Sequence, residues 1–198
     1  MKNVLLVLVV SVALAGSAAA GAEEAKTLAD KYCASCHGPS GNSASSFFPR
    51  LAGQSKEYFV GRLTGFRDFS RVDPHVQYFM GRNAFRLSRQ DIDALAAYYA
   101  AQPPAAGERG DAAVMAHGQT IYRDGIPSRS IAGCAICHGP AAEGKGPAPR
   151  LAGQHEFYLQ RQLAIFRVGL RRSGTAHPKV SGLEADDIDA LAAYLASL

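Results

Sequence analysis

Apolar residues recur every three or four positions in several stretches of the chain, which is the spacing of one face of a helix. No stretch alternates between apolar and polar residues with the period of two that a half-buried strand requires. The pattern therefore predicts an all-α protein. The predicted helices are one that carries Ala25, Leu28, Ala29 and Tyr32 and leads into Cys33, then Lys56–Phe69, Arg89–Ala101, Met115–Tyr122, and a last one that starts at the acidic residues Glu184, Asp186 and Asp187.

The predicted helix at Arg89 has the signals that start a helix. Ser88 can cap its N-terminus, and Asp91 places a negative charge in its first turn. The stripe that should face the core consists of Ile92, Leu95, Ala96 and Tyr99.

The chain contains an internal duplication. The motif RLAGQ at Arg50–Gln54 returns at Arg150–Gln154, and DIDALAAY at Asp91–Tyr98 returns at Asp187–Tyr194. Two copies of about 90 residues predict two domains rather than a solenoid. Between them, Gln102–Gly107 has the proline-containing composition of a linker.

The N-terminal residues predict a signal peptide. Lys2 precedes the apolar run Val4–Ala15, and small residues follow up to Ala20 and Ala22, where cleavage is expected. The run is short for a membrane span, so the mature protein is expected in the periplasm. The expected division is a signal peptide over residues 1–20, a first domain over 21–102, a linker over 103–110 and a second domain over 111–198.

All four cysteines lie in two copies of the motif C-x-x-C-H, at Cys33–His37 and Cys134–His138. On one helical turn, thiols at positions i and i+3 and an imidazole at i+4 share a face. The thiols can form thioether bonds with the two vinyl groups of one porphyrin, while the imidazole binds the iron; this motif is typical of haem c attachment. The sequence therefore predicts two covalently bound haem c groups. The predicted attachment residues are Cys33, Cys36, Cys134 and Cys137, and the predicted iron ligands are His37 and His138.

Two other interpretations of the cysteines fit less well. A thioredoxin-like site would need a βαβ setting, which the pattern does not contain. A zinc site would combine the two pairs, but the copies lie 101 residues apart and each has its own histidine.

The first iron has a candidate sixth ligand in Met80, which lies 43 residues after His37 and 7 before Leu87. Thioether sulfur suits low-spin haem iron and raises its potential relative to imidazole. The alternatives are that Met80 only fills the core, and that His75 is the ligand.

The second half departs from this pattern. Counting back 7 residues from Leu183 gives Ala176 instead of methionine. The loop that contains this position is also four residues shorter than its counterpart in the first half. His177, the next residue, is the candidate ligand. The alternatives are a five-coordinate iron with His177 lining its distal pocket, and an exposed His177 or another ligand. Met115 precedes the second motif and is interpreted as a helix-packing or surface residue. His117 and His155 are expected to be solvated on helix surfaces.

Two prolines and two pairs of arginines also occupy matching positions. Pro49 and Pro149 each offer a carbonyl that can accept the second ring N–H of His37 or His138, although a plain turn would also use proline. The pairs are Arg67 with Arg71 and Arg167 with Arg171. They could neutralise haem propionates, dock a partner or form a solvated basic face.

Charge narrows the function further. Lys and Arg number 21 against 17 Asp and Glu, giving a formal charge of +4 that is evenly spread. This predicts no nucleic-acid partner. No catalytic triad, carboxylate pair or phosphate loop is present in the sequence, which favours an electron carrier over an enzyme.

The tandem C-x-x-C-H motifs, the repeated LAGQ and the closing DIDALAAY segments resemble the dihaem cytochrome c4 family over nearly the whole mature chain. The resemblance implies two class I cytochrome c domains related by a pseudo-twofold axis, with haems close enough to exchange electrons. It also implies a periplasmic carrier between a quinol-oxidising complex and a terminal oxidase or reductase, with at most peripheral membrane association. Met80 falls on the family's distal methionine, whereas the second methionine is missing. With His177 as ligand, the second haem would be bis-imidazole and lower in potential.

The altered second half leaves one alternative function. The chain could be the haem subunit of a periplasmic dehydrogenase, for example a sulfide- or thiosulfate-oxidising one, with a modified second haem.

Overall fold

The computed structural model describes residues 21–71, 73, 76–171, 177 and 180–198. The predicted signal peptide and His75 lie outside the described residues. The described part is helical, with two isolated antiparallel β-bridges and no strand, which confirms the all-α prediction. The helices are α1 (21–32), α2 (Ala34–His37), α3 (Lys56–Arg67), α4 (Arg82–Phe85), α5 (Arg89–Ala100), α6 (Ala112–Asp124), α7 (Ala135–His138), α8 (Glu156–Arg167) and α9 (Ala185–Ala196). Short 3₁₀ turns occur at Pro39–Gly41, Pro127–Arg129 and Val180–Gly182, and a π-helical turn at Gln77–Gly81 leads into α4.

The core of the first half forms between α3 and α5. The predicted stripe of α5 is completely buried, and the Tyr99 ring stacks on the Phe59 ring of α3 at 5.2 Å between centres. The helix starts at Ser88, whose hydroxyl accepts from the Asp91 N–H while the Asp91 carboxylate accepts from the Ser88 N–H. This reciprocal capping satisfies two backbone donors that the helix cannot pair itself.

The core of the second half forms between α6 and α9. Gly118 of α6 lies against the backbone of α9, where a Cβ atom would collide with the Ala190 carbonyl oxygen. Helix α6 begins three residues before the predicted start at Met115, because the Asp111 carboxylate caps it by accepting from the N–H groups of Ala113 and Val114.

Two elements of the first half differ from the sequence prediction. Helix α3 ends at Arg67 rather than Phe69, since Phe69 takes a left-handed conformation with φ of 59°. The segment after Met80 belongs to none of the predicted helices, but it continues from the π-helical turn into α4. The described part of the matching region in the second half contains only the turn at Val180–Gly182.

The two halves meet through the repeated RLAGQ motifs. The Gln154 side chain accepts from the Arg50 N–H at 2.8 Å and donates to the Arg50 carbonyl at 3.0 Å. In the corresponding contact, Gln54 accepts from the Arg150 N–H at 2.7 Å and donates to the Arg150 carbonyl at 3.1 Å. The motif that repeats in sequence therefore also builds the contact between the repeats.

The segment between the halves is bonded to both. Asn42 donates to the Pro103 carbonyl and accepts from the Ala105 N–H. The Glu108 N–H donates to the Ala196 carbonyl at the end of α9. These contacts tie the connecting chain to each half.

Candidate haem sites

Each C-x-x-C-H motif forms one tight helical turn. The His37 N–H bonds to the Cys33 carbonyl at 2.9 Å, and the His138 N–H bonds to the Cys134 carbonyl at 3.0 Å. Each turn is ended by a glycine with positive φ, 76° at Gly38 and 83° at Gly139. This winding puts both thiols and the imidazole of each motif on neighbouring positions of one turn.

The four cysteines are unpaired. Burial raises the pKa of the Cys33 thiol, and it raises that of Cys134 to about 11. Because no disulfide joins any of the four, all of them are available for thioether bonds to a porphyrin.

The two motif histidines are oriented by proline carbonyls. His37 is 6% exposed and its Nδ1 lies 2.8 Å from the Pro49 oxygen; His138 is 8% exposed and its Nδ1 lies 2.9 Å from the Pro149 oxygen. Because a carbonyl only accepts, each Nδ1 carries the hydrogen and each Nε2 keeps its lone pair. Burial lowers the pKa of both rings. A buried neutral imidazole with a free Nε2 is the form that binds a metal.

The first half places Met80 in the π-helical turn, half-buried and packed against the core of that half. Aromatic rings line the neighbourhood of His37: Phe48 lies edge-on to it at 6.1 Å between centres, and Phe79 lies edge-on to Phe48 at 6.1 Å. The side chains around this histidine are thus apolar, as a porphyrin face requires.

The second half places His177 opposite His138. Their ring centres lie 6.2 Å apart, with 39° between the ring planes. A metal ion bound by a nitrogen of each ring at about 2 Å would hold two imidazole rings about 6 Å apart between their centres. The two rings therefore have the separation that one iron between them needs.

The neighbours of His177 favour its neutral form. The ring stacks on Phe166 at 4.5 Å, although the residue as a whole is exposed. Burial, together with the nearby His138 and Arg171, lowers the pKa of His177 to about 4.

His155 corrects a sequence expectation. It was expected on a solvated helix surface, but it is 6% exposed and its Nε2 lies 2.9 Å from the Ser43 carbonyl of the other half. The position looks like a helix surface in the sequence because α8 starts beside it, and the contact between the halves covers it. His117 remains exposed, as expected.

Two matching arginines stack on aromatic rings. The guanidinium carbon of Arg71 lies 4.6 Å from the Phe66 ring centre, and that of Arg171 lies 4.3 Å from the Phe166 ring centre. Arg71 is 4% exposed, so the interpretation as a solvated basic face is wrong for this residue.

The two arginines differ in their polar partners. Arg71 forms a buried ion pair with Asp73 at 3.1 Å. Arg171 donates to the Gln162 side chain at 2.6 Å and lies 3.5 Å from the Tyr58 hydroxyl, and its Nε is buried without a partner. In the part of the chain that the structure describes, Arg171 has no carboxylate partner. A partly buried cation of this kind fits an anionic group such as a haem propionate.

Burial alone would raise the pKa of the Tyr58 hydroxyl, but Arg171 and the neighbouring Arg71 and Arg62 lower it. This hydroxyl therefore lies in a strongly positive part of the contact between the halves.

The residues present fit two covalently held haems, each bound by a C-x-x-C-H turn and each able to supply one-electron transfer between ferric and ferrous iron.

The described residues contain no helix that is both long and apolar enough to cross a bilayer.

Comparison with known proteins identifies the fold. Residues 22–101 and 115–198 match the family described as cytochrome c. Cytochrome c4 of Azotobacter vinelandii is 35% identical over 197 residues, which cover 93% of this chain and 90% of that protein. The solved structure of reduced recombinant cytochrome c4 from Pseudomonas stutzeri superposes with a TM-score of 0.80 at 31% identity, covering 89% of this chain and 98% of that one.

A structure of thiosulfate dehydrogenase from Marichromatium purpuratum also matches, with a TM-score of 0.75 and 34% identity over 88% of this chain and 40% of that chain. Three observations point to one family: the duplicated C-x-x-C-H turns, the helical fold of both halves and these relatives. The chain belongs to the dihaem cytochrome c4 family: it is an electron carrier, not an enzyme, and its two cytochrome c domains bind two covalent haem c groups.

Proposed function

We propose that this chain is a periplasmic electron carrier whose haems are attached at Cys33 and Cys36 in the first domain and at Cys134 and Cys137 in the second. His37 and His138 are the proximal ligands. The observation that carries this proposal is the same in both halves: a C-x-x-C-H turn whose histidine donates Nδ1–H to a proline carbonyl and keeps Nε2 free.

The two irons have different sixth ligands in this proposal. Met80 binds the first iron, and its place in a half-buried turn against the core supports this. His177 binds the second, supported by the 6.2 Å separation of its ring from that of His138. Imidazole lowers the potential of haem iron relative to thioether sulfur. Electrons therefore rest preferentially on the first haem.

The carrier exchanges electrons with other redox proteins, between a quinol-oxidising complex and a terminal oxidase or reductase. Residues 1–20 export the chain and are then removed. Association with the membrane is at most peripheral, and nucleic acid is not a partner, in keeping with a formal charge of only +4.

A second candidate function is the haem subunit of a periplasmic dehydrogenase, such as a sulfide- or thiosulfate-oxidising one. The likeness to the thiosulfate dehydrogenase structure favours it, and so does the replacement of the expected second methionine. In that case His177 would line the pocket of a five-coordinate iron.

Optical spectra with and without CO distinguish the two candidates. The exported wild-type protein should contain two haems per chain, both low-spin and slow to bind CO. A high-spin fraction that binds CO quickly would favour the dehydrogenase subunit, and fewer than two haems per chain would contradict both candidates.

Changing His177 to Ala should convert one haem to the high-spin form and open it to CO, because the iron loses an imidazole. The matched control is His117→Ala, which removes an exposed histidine of the same domain and should leave the spectrum unchanged. An unchanged spectrum in His177→Ala would overturn the assignment of this ligand.

A further inference from the structure

A single peptide group connects each proximal histidine to the opposite domain. The carbonyl of Pro49 and the N–H of Arg50 belong to the same amide. Its oxygen accepts from His37 Nδ1 at 2.8 Å, and its N–H donates to the Gln154 side-chain oxygen at 2.8 Å. A continuous chain of two hydrogen bonds therefore runs from the first histidine to a glutamine of the second domain.

The second domain contains the corresponding arrangement. The amide between Pro149 and Arg150 accepts from His138 Nδ1 at 2.9 Å and donates to the Gln54 side-chain oxygen at 2.7 Å. Each domain thus orients its own histidine with an amide that a glutamine of the other domain holds.

The glutamines are fixed in the orientation that this requires. Both are 7% exposed, and each donates its side-chain N–H to the carbonyl of the same arginine whose N–H it accepts. If either carboxamide were turned over, its NH2 group would face the arginine N–H and its oxygen would face the arginine carbonyl.

An amide is conjugated, so hydrogen bonds at its two ends strengthen each other. When the Arg50 N–H donates to a good acceptor, the Pro49 oxygen becomes a better acceptor for the His37 Nδ1–H. A stronger acceptor there makes the imidazole a more basic ligand, which favours ferric over ferrous iron.

We propose that each glutamine tunes the haem of the opposite domain: Gln154 lowers the potential of the first haem, and Gln54 lowers that of the second. This inference rests on the proposed function, because it needs His37 and His138 to be the iron ligands. The two crossed bonds make the contact between the domains part of the redox machinery of each.

The test compares Gln154→Leu with Gln54→Leu in the full dihaem protein. Losing the acceptor at Arg50 should raise the potential of the first haem and shift shared electrons toward it. Losing the acceptor at Arg150 should shift them toward the second haem. Each variant should change the equilibrium constant for electron exchange between the haems about twofold to tenfold, in opposite directions.

Two readouts follow each haem separately. Spectroelectrochemical titration gives the two potentials, with NMR signals of the Met80 methyl group identifying the first haem. The chemical shift of the proximal Nδ1–H in the reduced protein reports the strength of its bond to proline. In Gln154→Leu the His37 signal should move while the His138 signal does not.

The matched control is Arg161→Ala, which removes a 2.9 Å hydrogen bond to the Phe47 carbonyl across the same contact but touches neither amide. It should leave the difference between the two potentials unchanged. Should Gln154→Leu fail to fold, Gln154→Asn withdraws the amide from Arg50 with a smaller change in volume and should shift the first haem in the same direction.

Three results would each overturn the inference: a shift only in the potential of the haem whose own domain carries the substitution, equal shifts in both potentials, or no shift. The proposed function would still stand in those cases, because wild type would still show two low-spin haems with the ligands assigned above. Wild type with fewer than two haems would instead contradict the proposed function itself.

Discussion

At the scale of single residues, the tautomer of each motif histidine, His37 and His138, depends on one proline carbonyl. That oxygen fixes the hydrogen on Nδ1, and burial keeps the ring neutral. With these histidines as the proposed iron ligands, the remaining ligand position decides the spin state of the iron.

Met80→Ala should therefore make the first haem high-spin and raise its affinity for CO, because it removes the proposed sulfur ligand. The second haem should keep its spectrum. Met115→Ala is the control, since it shortens a half-buried methionine on α6 that precedes the second motif; optical spectroscopy should show no change. A low-spin first haem in Met80→Ala would show that another residue is the ligand.

His155 should make folding stability sensitive to pH. Burial, then Arg50, lowers its pKa from the model-peptide value of about 6.5. The unfolded chain therefore binds a proton at a higher pH than the folded one, so stability is full above about pH 6.5 and falls as the pH drops below it. The hydrogen bond to the Ser43 carbonyl, and then Glu108, act in the opposite direction but more weakly.

Thermal unfolding at pH 7.5 and pH 5.5 measures this effect. His155→Gln keeps a side-chain donor for the Ser43 carbonyl but cannot titrate, so it should lose less stability than wild type between the two values. His117→Gln changes an exposed histidine and should behave like wild type. Equal losses in wild type and His155→Gln would show that His155 does not titrate on unfolding.

The residues that sequence reasoning located correctly act locally. The turn that brings Cys33 and His37 together spans five positions, so the motif alone determines it. His155 was misplaced because its burial comes from Ser43, more than a hundred residues away. Arg71 was misjudged for a similar reason, since its burial depends on tertiary packing that residue spacing does not reveal.

At the scale of elements, the closeness of α6 and α9 depends on a glycine. Gly118→Ala should destabilise the protein by about 1–3 kcal/mol, because the added methyl meets the Ala190 carbonyl and the helices must separate. Gly61→Ala is the control on α3, where nothing lies within 4 Å of the new Cβ. It should stabilise the protein by about 0.5–1 kcal/mol through helix propensity.

Denaturant unfolding with the haems in place measures both changes. Equal stability of the two variants would contradict the close packing of α6 on α9.

The apolar stripes predicted α1, α3, α5, α6 and α9, and the caps explain where α5 and α6 begin. The helix that follows Met80 was not predicted. The aromatic residues Tyr78 and Phe85 of this segment are exposed. The large apolar residues therefore do not all lie on one buried face, and they do not form the single stripe from which a helix is predicted. Only the surrounding fold, which packs Ala84 completely into the core, stabilises this segment as a helix.

At the scale of the whole molecule, the two haems should titrate as two separate one-electron steps, with the first haem reduced at the higher potential. His177→Met should bring the two steps together, because it replaces imidazole by the thioether sulfur that raises the potential. Redox titration followed by visible absorption measures this. Two steps that stay equally far apart in His177→Met would contradict His177 as the source of the asymmetry.

The contact between the domains is isologous, since each glutamine meets in the other half the arginine that corresponds to its own neighbour. A single unfused copy of this sequence would carry both sides of the contact and would form a symmetric homodimer through the same four bonds. Joining two copies in one chain keeps that partner at a high effective concentration. It also allows the two copies to carry different iron ligands, as we propose for Met80 and His177, which no homodimer of identical subunits can do.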